Sequence, residues 1–245
     1  MPINVGTSSV NHNIGGGGFA REGLYIHLDA GDTRSAVPNS ANWLDLSGNN
    51  RDFTGTNVEH GDDVYGYWNL DGTNEYFLFQ TISWDEDNDF SVEAWFQLNS
   101  TNELGSIVGQ GKQGRSFGID RNDNGTITWR VRGDSSANAQ VTTSALSSGV
   151  WYHALGTYKG SSTTTKLYLD GVLIGTSTTD PGTIAWSSGT VDDSFRVGHE
   201  STTAGSSANM RYFDGNIAIV RAYQRTLTHS EVLFNYSADT MRFGK

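Results

Sequence analysis

Over most of the chain, apolar and polar residues alternate with a period of two, the signature of strands that bury one face. Residues 90–98 (Phe-Ser-Val-Glu-Ala-Trp-Phe-Gln-Leu) give the clearest case. Phe90, Val92, Ala94, Phe96 and Leu98 share one face, and Glu93 and Trp95 lie on the other. A tryptophan on the second face predicts that this face is partly covered as well. Residues 126–132 place Ile127, Trp129 and Val131 on one side and Thr128, Arg130 and Arg132 on the other. Further strands are predicted around residues 24–30, 75–79, 106–109, 116–120, 194–198 and 212–223, the last closing the sheet.

The strongest turn signal is Asp170-Gly171, between Leu167 and Leu169 on one side and Val172 and Ile174 on the other. A type I′ turn needs positive φ at both central residues, which Asp-Gly accepts at low cost. With the strand predicted at 151–158, this hairpin makes a three-stranded antiparallel meander. Helical periodicity is confined to residues 227–236, where Thr228 is the expected N-cap and Glu231 completes a capping box. About a dozen strands with Gly, Asn and Asp at their turns, many carrying bulky aromatics on one face, predict an all-β sandwich of two stacked sheets.

Composition agrees. Thirty glycines against three prolines suit tight turns, and seven Trp, ten Tyr and eleven Phe suit a broad pleated core. The 245 residues read as one domain, residues 23–245, preceded by a Gly/Ser/Asn-rich arm, residues 1–22. The arm carries too little apolar surface to fold by itself; it is either a floppy tail or a segment that orders against a neighbouring subunit. A net charge of −11 and a pI near 4.8 exclude a nucleic-acid partner, which needs a basic stripe, and argue against an anionic membrane surface. Without cysteine there are no disulfides or thiolate metal sites. No leader and no apolar run of about 20 residues is visible.

Four segments resemble a known family, in order: residues 89–96, 149–158, 167–175 and 213–232, the last reading Phe-Asp-Gly-Asn-Ile-Ala-Ile-Val-Arg-Ala-Tyr-Gln-Arg-Thr-Leu-Thr-His-Ser-Glu-Val. Together they are similar to the laminin-G-like branch of the concanavalin A-like lectin/glucanase superfamily, over residues 23–236. The resemblance implies a jelly-roll β-sandwich of two curved antiparallel sheets. It does not fix a function, because this scaffold hosts lectins, adhesion modules and hydrolases. Residues 23–32, 43–49, 70–76 and 231–244 are further similar to laminin-G-like proteins of marine tailed bacteriophages. That implies a virion component, assembled in the host cytoplasm and working as a homo-oligomer or within a larger assembly. Its arm would contact capsid or tail proteins, and its domain a host-surface polysaccharide.

Glycoside hydrolysis requires two carboxylates flanking one bond. The Glu-x-Asp-x-x-Glu run that hydrolases of this fold carry is absent, so no catalytic residue is assigned. The six histidines form no ligand pair, and His153 reads as a packed side chain. Asp120-Arg-Asn122-Asp-Asn124-Gly125 matches the first half of a calcium loop, but Val131 stands at the twelfth position, so a turn between strands is the better reading.

Sugar binding needs an aromatic face for the ring and fixed polar groups around it. Trp129 with Arg130 and Arg132, Trp186 in a Ser/Gly loop and His199 at a strand end are the candidates, with Trp129 also reading as core and Trp186 as a loop anchor. No cofactor is required. Relatives bind calcium at a sheet rim, and Asp71, Asn74 and Asp214 are the oxygen ligands the resemblance suggests here. Ala218 stands where the family has an acid, which weakens that site. Three functions follow: glycan or host-surface adhesion, structural cementing of a virion without sugar binding, and hydrolysis.

Overall fold

The computed structural model describes residues 18–37, 40–61, 65–80, 82, 84, 89–111, 116–135, 137–184, 194–200 and 211–245. In chain order the strands are β1 (Leu24–Asp29), β2 (Asn42–Trp43), β3 (Phe53–Thr56), β4 (Glu59–Gly61), β5 (Tyr67–Asp71), β6 (Tyr76–Phe79), β7 (Phe90–Leu98), β8 (Gly105–Gln110), β9 (Phe117–Arg121), β10 (Ile127–Val131), β11 (Ala139–Thr142), β12 (Trp151–Lys159), β13 (Thr164–Leu169), β14 (Val172–Ser177), β15 (Phe195–Val197), β16 (His199–Glu200), β17 (Arg211–Tyr212) and β18 (Asp214–Tyr223). Helix α1 (His229–Asp239) follows.

The strands form the expected sandwich of two antiparallel sheets. The back sheet runs β14-β13-β12-β7-β18-β5-β4, with β1 also paired to β18. The front sheet runs β11-β10-β9-β8-β15-β6-β3-β2, and β16 and β17 make a separate ribbon. β18 is central rather than closing an edge, held between β7 on one side and β5 and β1 on the other. The hairpin is as expected: Asp170 and Gly171 have φ of 48° and 76°, and Leu169 pairs with Val172.

The apolar faces named by the alternation meet between the sheets. Phe90, Val92, Ala94, Phe96 and Leu98 of β7 face Phe117, Ile119, Ile127, Trp129, Val131, Phe195 and Val197 of the front sheet, all fully buried. Trp129, a candidate sugar platform on sequence, is part of this core. Its indole occupies the space that a Cβ on Gly156 of β12 would fill, and its Nε1 donates to Thr157 O at 3.2 Å. A ring so enclosed offers no face to a ligand, and this corrects the expectation.

The second face of β7 is covered, by α1. Trp95 stacks on Phe243 and Tyr236 with centroids 4.3 and 5.7 Å away. Glu93, fully buried, accepts from Arg221 Nη1 at 2.9 Å and from Asn235 Nδ2 at 3.0 Å, and lies 3.2 Å from His153 Nε2. Burial alone would push the Glu93 carboxyl up, but His153 and Arg221 outweigh it and hold it at about 2. Arg221 also donates to Asp239 at 2.9 Å, fastening the helix to the sheet. The capping box forms: Thr228 accepts from the Glu231 amide, and Glu231 accepts from the Thr228 amide.

The arm's expected boundary moves. Residues 18–22 pack on the domain instead of preceding it. Phe19 stacks edge-on against His27 at 4.6 Å between the guanidinium groups of Arg21 and Arg221, and the buried Ala20 donates its amide to Asn235 Oδ1 at 2.8 Å. These two apolar residues fill a gap beside α1, which the polar run before them conceals in the sequence. Residues 1–17, the rest of the arm expected to contact neighbouring subunits, lie outside the described residues.

Candidate functional site

The site lies on the outer face of the front sheet. Strand alternation turns Arg196 of β15, Gly109 of β8, Gly118 of β9 and Arg130 of β10 outward, because Phe195, Val108, Phe117 and Trp129 beside them face the core. Register places these four in one row: Arg196 pairs with Gly109, Gly109 with Gly118, and Gly118 with Arg130. Two positions without side chains thus lie between two arginines. The glycines are required locally: a Cβ at Gly118 would press on the Asp120 carboxylate, and one at Gly109 would meet the Phe117 carbonyl at 2.8 Å.

A small cleft of about 10 Å³ opens here, room for one water, lined among others by Ser106, Gln110, Asp120, Arg196, His199 and Glu200. Arg130 Nη2 donates to Asp120 Oδ2 at 2.7 Å and to Glu200 Oε1 at 3.3 Å, so one nitrogen holds both carboxylates. Arg211 Nη1 lies 3.6 Å from the other Glu200 oxygen. Arg196 Nη1 donates to Gly111 O at 3.4 Å. At one side, Tyr76, His199 and Tyr212 have near-parallel rings. His199 lies 4.3 Å from Tyr76 and 5.7 Å from Tyr212, both half-buried.

Burial sets the electrostatics. Burial, then the neighbouring Asp120 charge, pushes the Glu200 carboxyl up to about 7, against the opposing pull of Arg130, Arg211 and Arg132. Burial and then Arg196 hold the His199 imidazole down at about 3, so it is neutral near pH 7. His199 is 4 % exposed, and its Nδ1 has no hydrogen-bond partner among the described residues. A buried ring nitrogen left in that state is costly unless something else meets it.

Of the residues singled out on sequence, the structure brings Arg130, Arg132 and His199 to this cleft, Arg132 close enough to act on Glu200. Trp129 is in the core, and Trp186 lies outside the described residues. Sequence reasoning missed Asp120 as a site residue, along with Arg196, Glu200 and Arg211. The available signals were Arg196 between two core residues of a short strand and the lone glycines inside β8 and β9. The Asp120 run does form a turn: Asn122 donates to Thr126 and Thr128 hydroxyls, and Gly125, at φ 75°, bonds back to Asn122 O.

The calcium candidates sit elsewhere. Asp71 and Asp214 oppose each other across β5 and β18, and Asn74 is exposed in the turn after β5. Asp214 accepts from Asn99 at 3.0 Å, and Asp71 accepts from the Thr73 amide at 2.8 Å. Among the described residues no group of three or more His, Cys, Asp or Glu is disposed to hold a metal ion.

A laminin G-type family model, described as concanavalin A-like lectin/glucanases superfamily, matches residues 71–233, more than half of the chain. The chain belongs to the concanavalin A-like lectin/glucanases superfamily. No curated protein matches the chain. This superfamily fold recurs in solved structures of toxin binding domains. The botulinum neurotoxin serotype D binding domain is 16 % identical with a TM-score of 0.65, covering 88 % of this chain and 52 % of its own. The type G receptor binding domain gives 14 % and 0.63, with coverage of 88 % and 51 %. The binding domain of botulinum neurotoxin DC, solved in complex with SialylT, gives 12 % and 0.65, with coverage of 88 % and 51 %. The present chain spans about half the length of these structures, and at such identities the likeness is one of fold. Among the described residues no helix is long and apolar enough to cross a membrane.

Proposed function

We propose that this chain is a non-catalytic, lectin-like module that binds a glycan on the outer face of its front sheet, around the small cleft. The carrying observation is a juxtaposition on that face: polar groups of Asp120, Arg130, Arg196 and Glu200 stand beside the near-parallel rings of Tyr76, His199 and Tyr212. Fixed polar groups next to an aromatic shelf are what a sugar's hydroxyls and its apolar ring face require. The toxin structures support the reading, since one binding domain was solved in complex with SialylT and cell entry of botulinum neurotoxin type C depends on interaction with two ganglioside molecules. A glycan array probed with the full chain tests it. Signals lost in a Tyr76→Ala, Tyr212→Ala double variant support the site, and a blank array refutes the reading.

One observation favours hydrolysis as a second reading. Glu200, with its carboxyl at about 7, stands with Asp120 on one guanidinium, and an acid of that strength beside a carboxylate suits general acid catalysis. Release of reducing ends from a bound polysaccharide, lost in Glu200→Gln, would establish it. The finer reading places the module on a virion, where it would mediate host-surface adhesion and act as part of a larger assembly. The phage-like motifs at residues 23–32, 43–49, 70–76 and 231–244 support it. Detection of the chain in purified particles is the test.

A further inference from the structure

Helix α1 covers the back sheet with one face and turns a second apolar face to solvent. Val232, Asn235 and Asp239 are buried, while Leu233, Phe234 and Ser237 are exposed. Phe234 is 49 % exposed, and Met241, in the turn that follows the helix, is 86 % exposed. Phe234, Ser237 and Met241 stand at i, i+3 and i+7, which sets them in one stripe. The β13–β14 hairpin widens the patch. A Cβ on Gly171 would come 3.0 Å from Leu233, and Val172 and Leu173 just beyond are exposed. β14, which carries them, is the last strand of the back sheet. Single exposed apolar residues are ordinary, but a contiguous patch marks an interaction surface.

Charge narrows the choice of partner. The chain carries a net −11, so two copies repel over most of their surface. This face is an exception. Glu231 pairs with Arg225, Asp239 with Arg221, and Asp170 of the hairpin turn with Lys245. Every carboxylate on α1 and on that turn is thus answered within its own chain. Nor does α1 itself carry Lys or Arg, which a helix lying on a membrane surface needs on its polar side. What remains is neutral and apolar, where a second acidic copy meets least opposition.

The stripe also suits a two-fold axis. Phe234 and Met241 stand three and four residues either side of Ser237, about two helical turns apart. A second α1 laid antiparallel across Ser237 would bring each Phe234 against the partner's Met241. The small serine at the centre lets the two helices approach, and the same patch serves both copies. We infer that the outer face of α1, with the tip of the β13–β14 hairpin, is a homodimer interface that pairs two copies back to back. It lies on the opposite sheet from the glycan site and does not depend on it.

The test is sedimentation velocity of the full chain over a hundredfold range of micromolar concentrations. A concentration-dependent dimer is expected. Met241→Glu buries an unpaired charge at the interface and is expected to weaken dimerisation tenfold or more, with the melting temperature of the monomer unchanged. The chain has no cysteine, so Ser237→Cys should oxidise to a covalent dimer, while Thr54→Cys, exposed on the front sheet, should not. A monomer at every concentration overturns the inference. So does a dimer indifferent to Met241→Glu in which Ser237→Cys fails to cross-link, since its interface lies elsewhere. Gly18 lies against the Phe234 ring, so the chain before it enters at this face. A protein that dimerises only after residues 1–17 are removed would make that segment the occupant and overturn the second copy. Co-sedimentation of the monomer with phosphatidylcholine vesicles, lost in Met241→Glu, would put lipid there and overturn it equally.

Discussion

The ring junction of Trp129 sits where Gly156, on the opposite sheet, would carry a Cβ. The two sheets therefore approach each other here through an indole and a residue with no side chain. Gly156→Ala forces a methyl group into a filled core, where overpacking costs about 1–3 kcal/mol. Calorimetric unfolding should show a melting temperature lower by several degrees, and lower still for Gly156→Val. An unchanged transition in the alanine variant would mean the sheets are packed differently.

Gly171 carries the hairpin turn at φ 76°, and a Cβ there would come 3.0 Å from both Leu233 and Tyr236 of α1. A β-branched residue adds backbone strain of about 1–3 kcal/mol to that crowding. Gly171→Val should thus destabilise clearly, and Gly171→Asn less, because asparagine tolerates positive φ. Equal denaturation midpoints for the two would contradict the I′ turn.

Residues 18–22 make a prediction about truncation. Removing residues 1–17 leaves Phe19 between its two guanidinium groups and Ala20 on Asn235, so stability should be retained. Removing residues 1–22 uncovers Arg221 and the outer back sheet. The loss should be of the order of one partly buried aromatic side chain, about 1–3 kcal/mol. The midpoint of denaturant unfolding in the two truncated proteins decides it.

Two cleft groups have opposite effects on stability as pH changes. His199, at about 3 when folded against an ordinary 6.5, adds stability above pH 6.5 that is lost as pH falls toward 3. Glu200, at about 7 against 4.5, adds stability below pH 4.5 that is lost as pH rises to 7. The charges facing the pair are Asp120 on β9, Arg130 and, just beyond β10, Arg132, Arg196 on β15 and Arg211 on β17. Melting curves from pH 4 to 8 should rise toward neutrality more steeply in Glu200→Gln than in the parent. His199→Gln should lose the acid-side decline. Parallel curves for parent and both variants would show that neither group is held as described.

What the sequence made legible was local. Alternation gave the strands and their faces, Asp170-Gly171 the hairpin, and Thr228 with Glu231 the start of the helix, because each needs only neighbours in the chain. The cleft depends on strand order instead. Arg196 meets Gly109 because β15 pairs with β8, although 85 residues separate Arg196 from the Gly111 carbonyl it reaches. Nothing periodic announces that pairing. Trp129 was ambiguous for a similar reason: its own strand places it with Ile127 and Val131, but only Gly156, on a distant strand, makes room for it. Phe19 and Ala20 were hidden among polar neighbours, since two apolar residues have no period.

Residues 18–22 and helix α1 both rest on the outer back sheet, joined through Arg221 and Asn235, while the cleft opens on the far side of the sandwich. Anything fastened to the back would hold the recess looking outward, like a cup glued by its base. Copies mounted side by side could then grip a long polymer at many points at once, and weak single contacts would add up to a lasting hold.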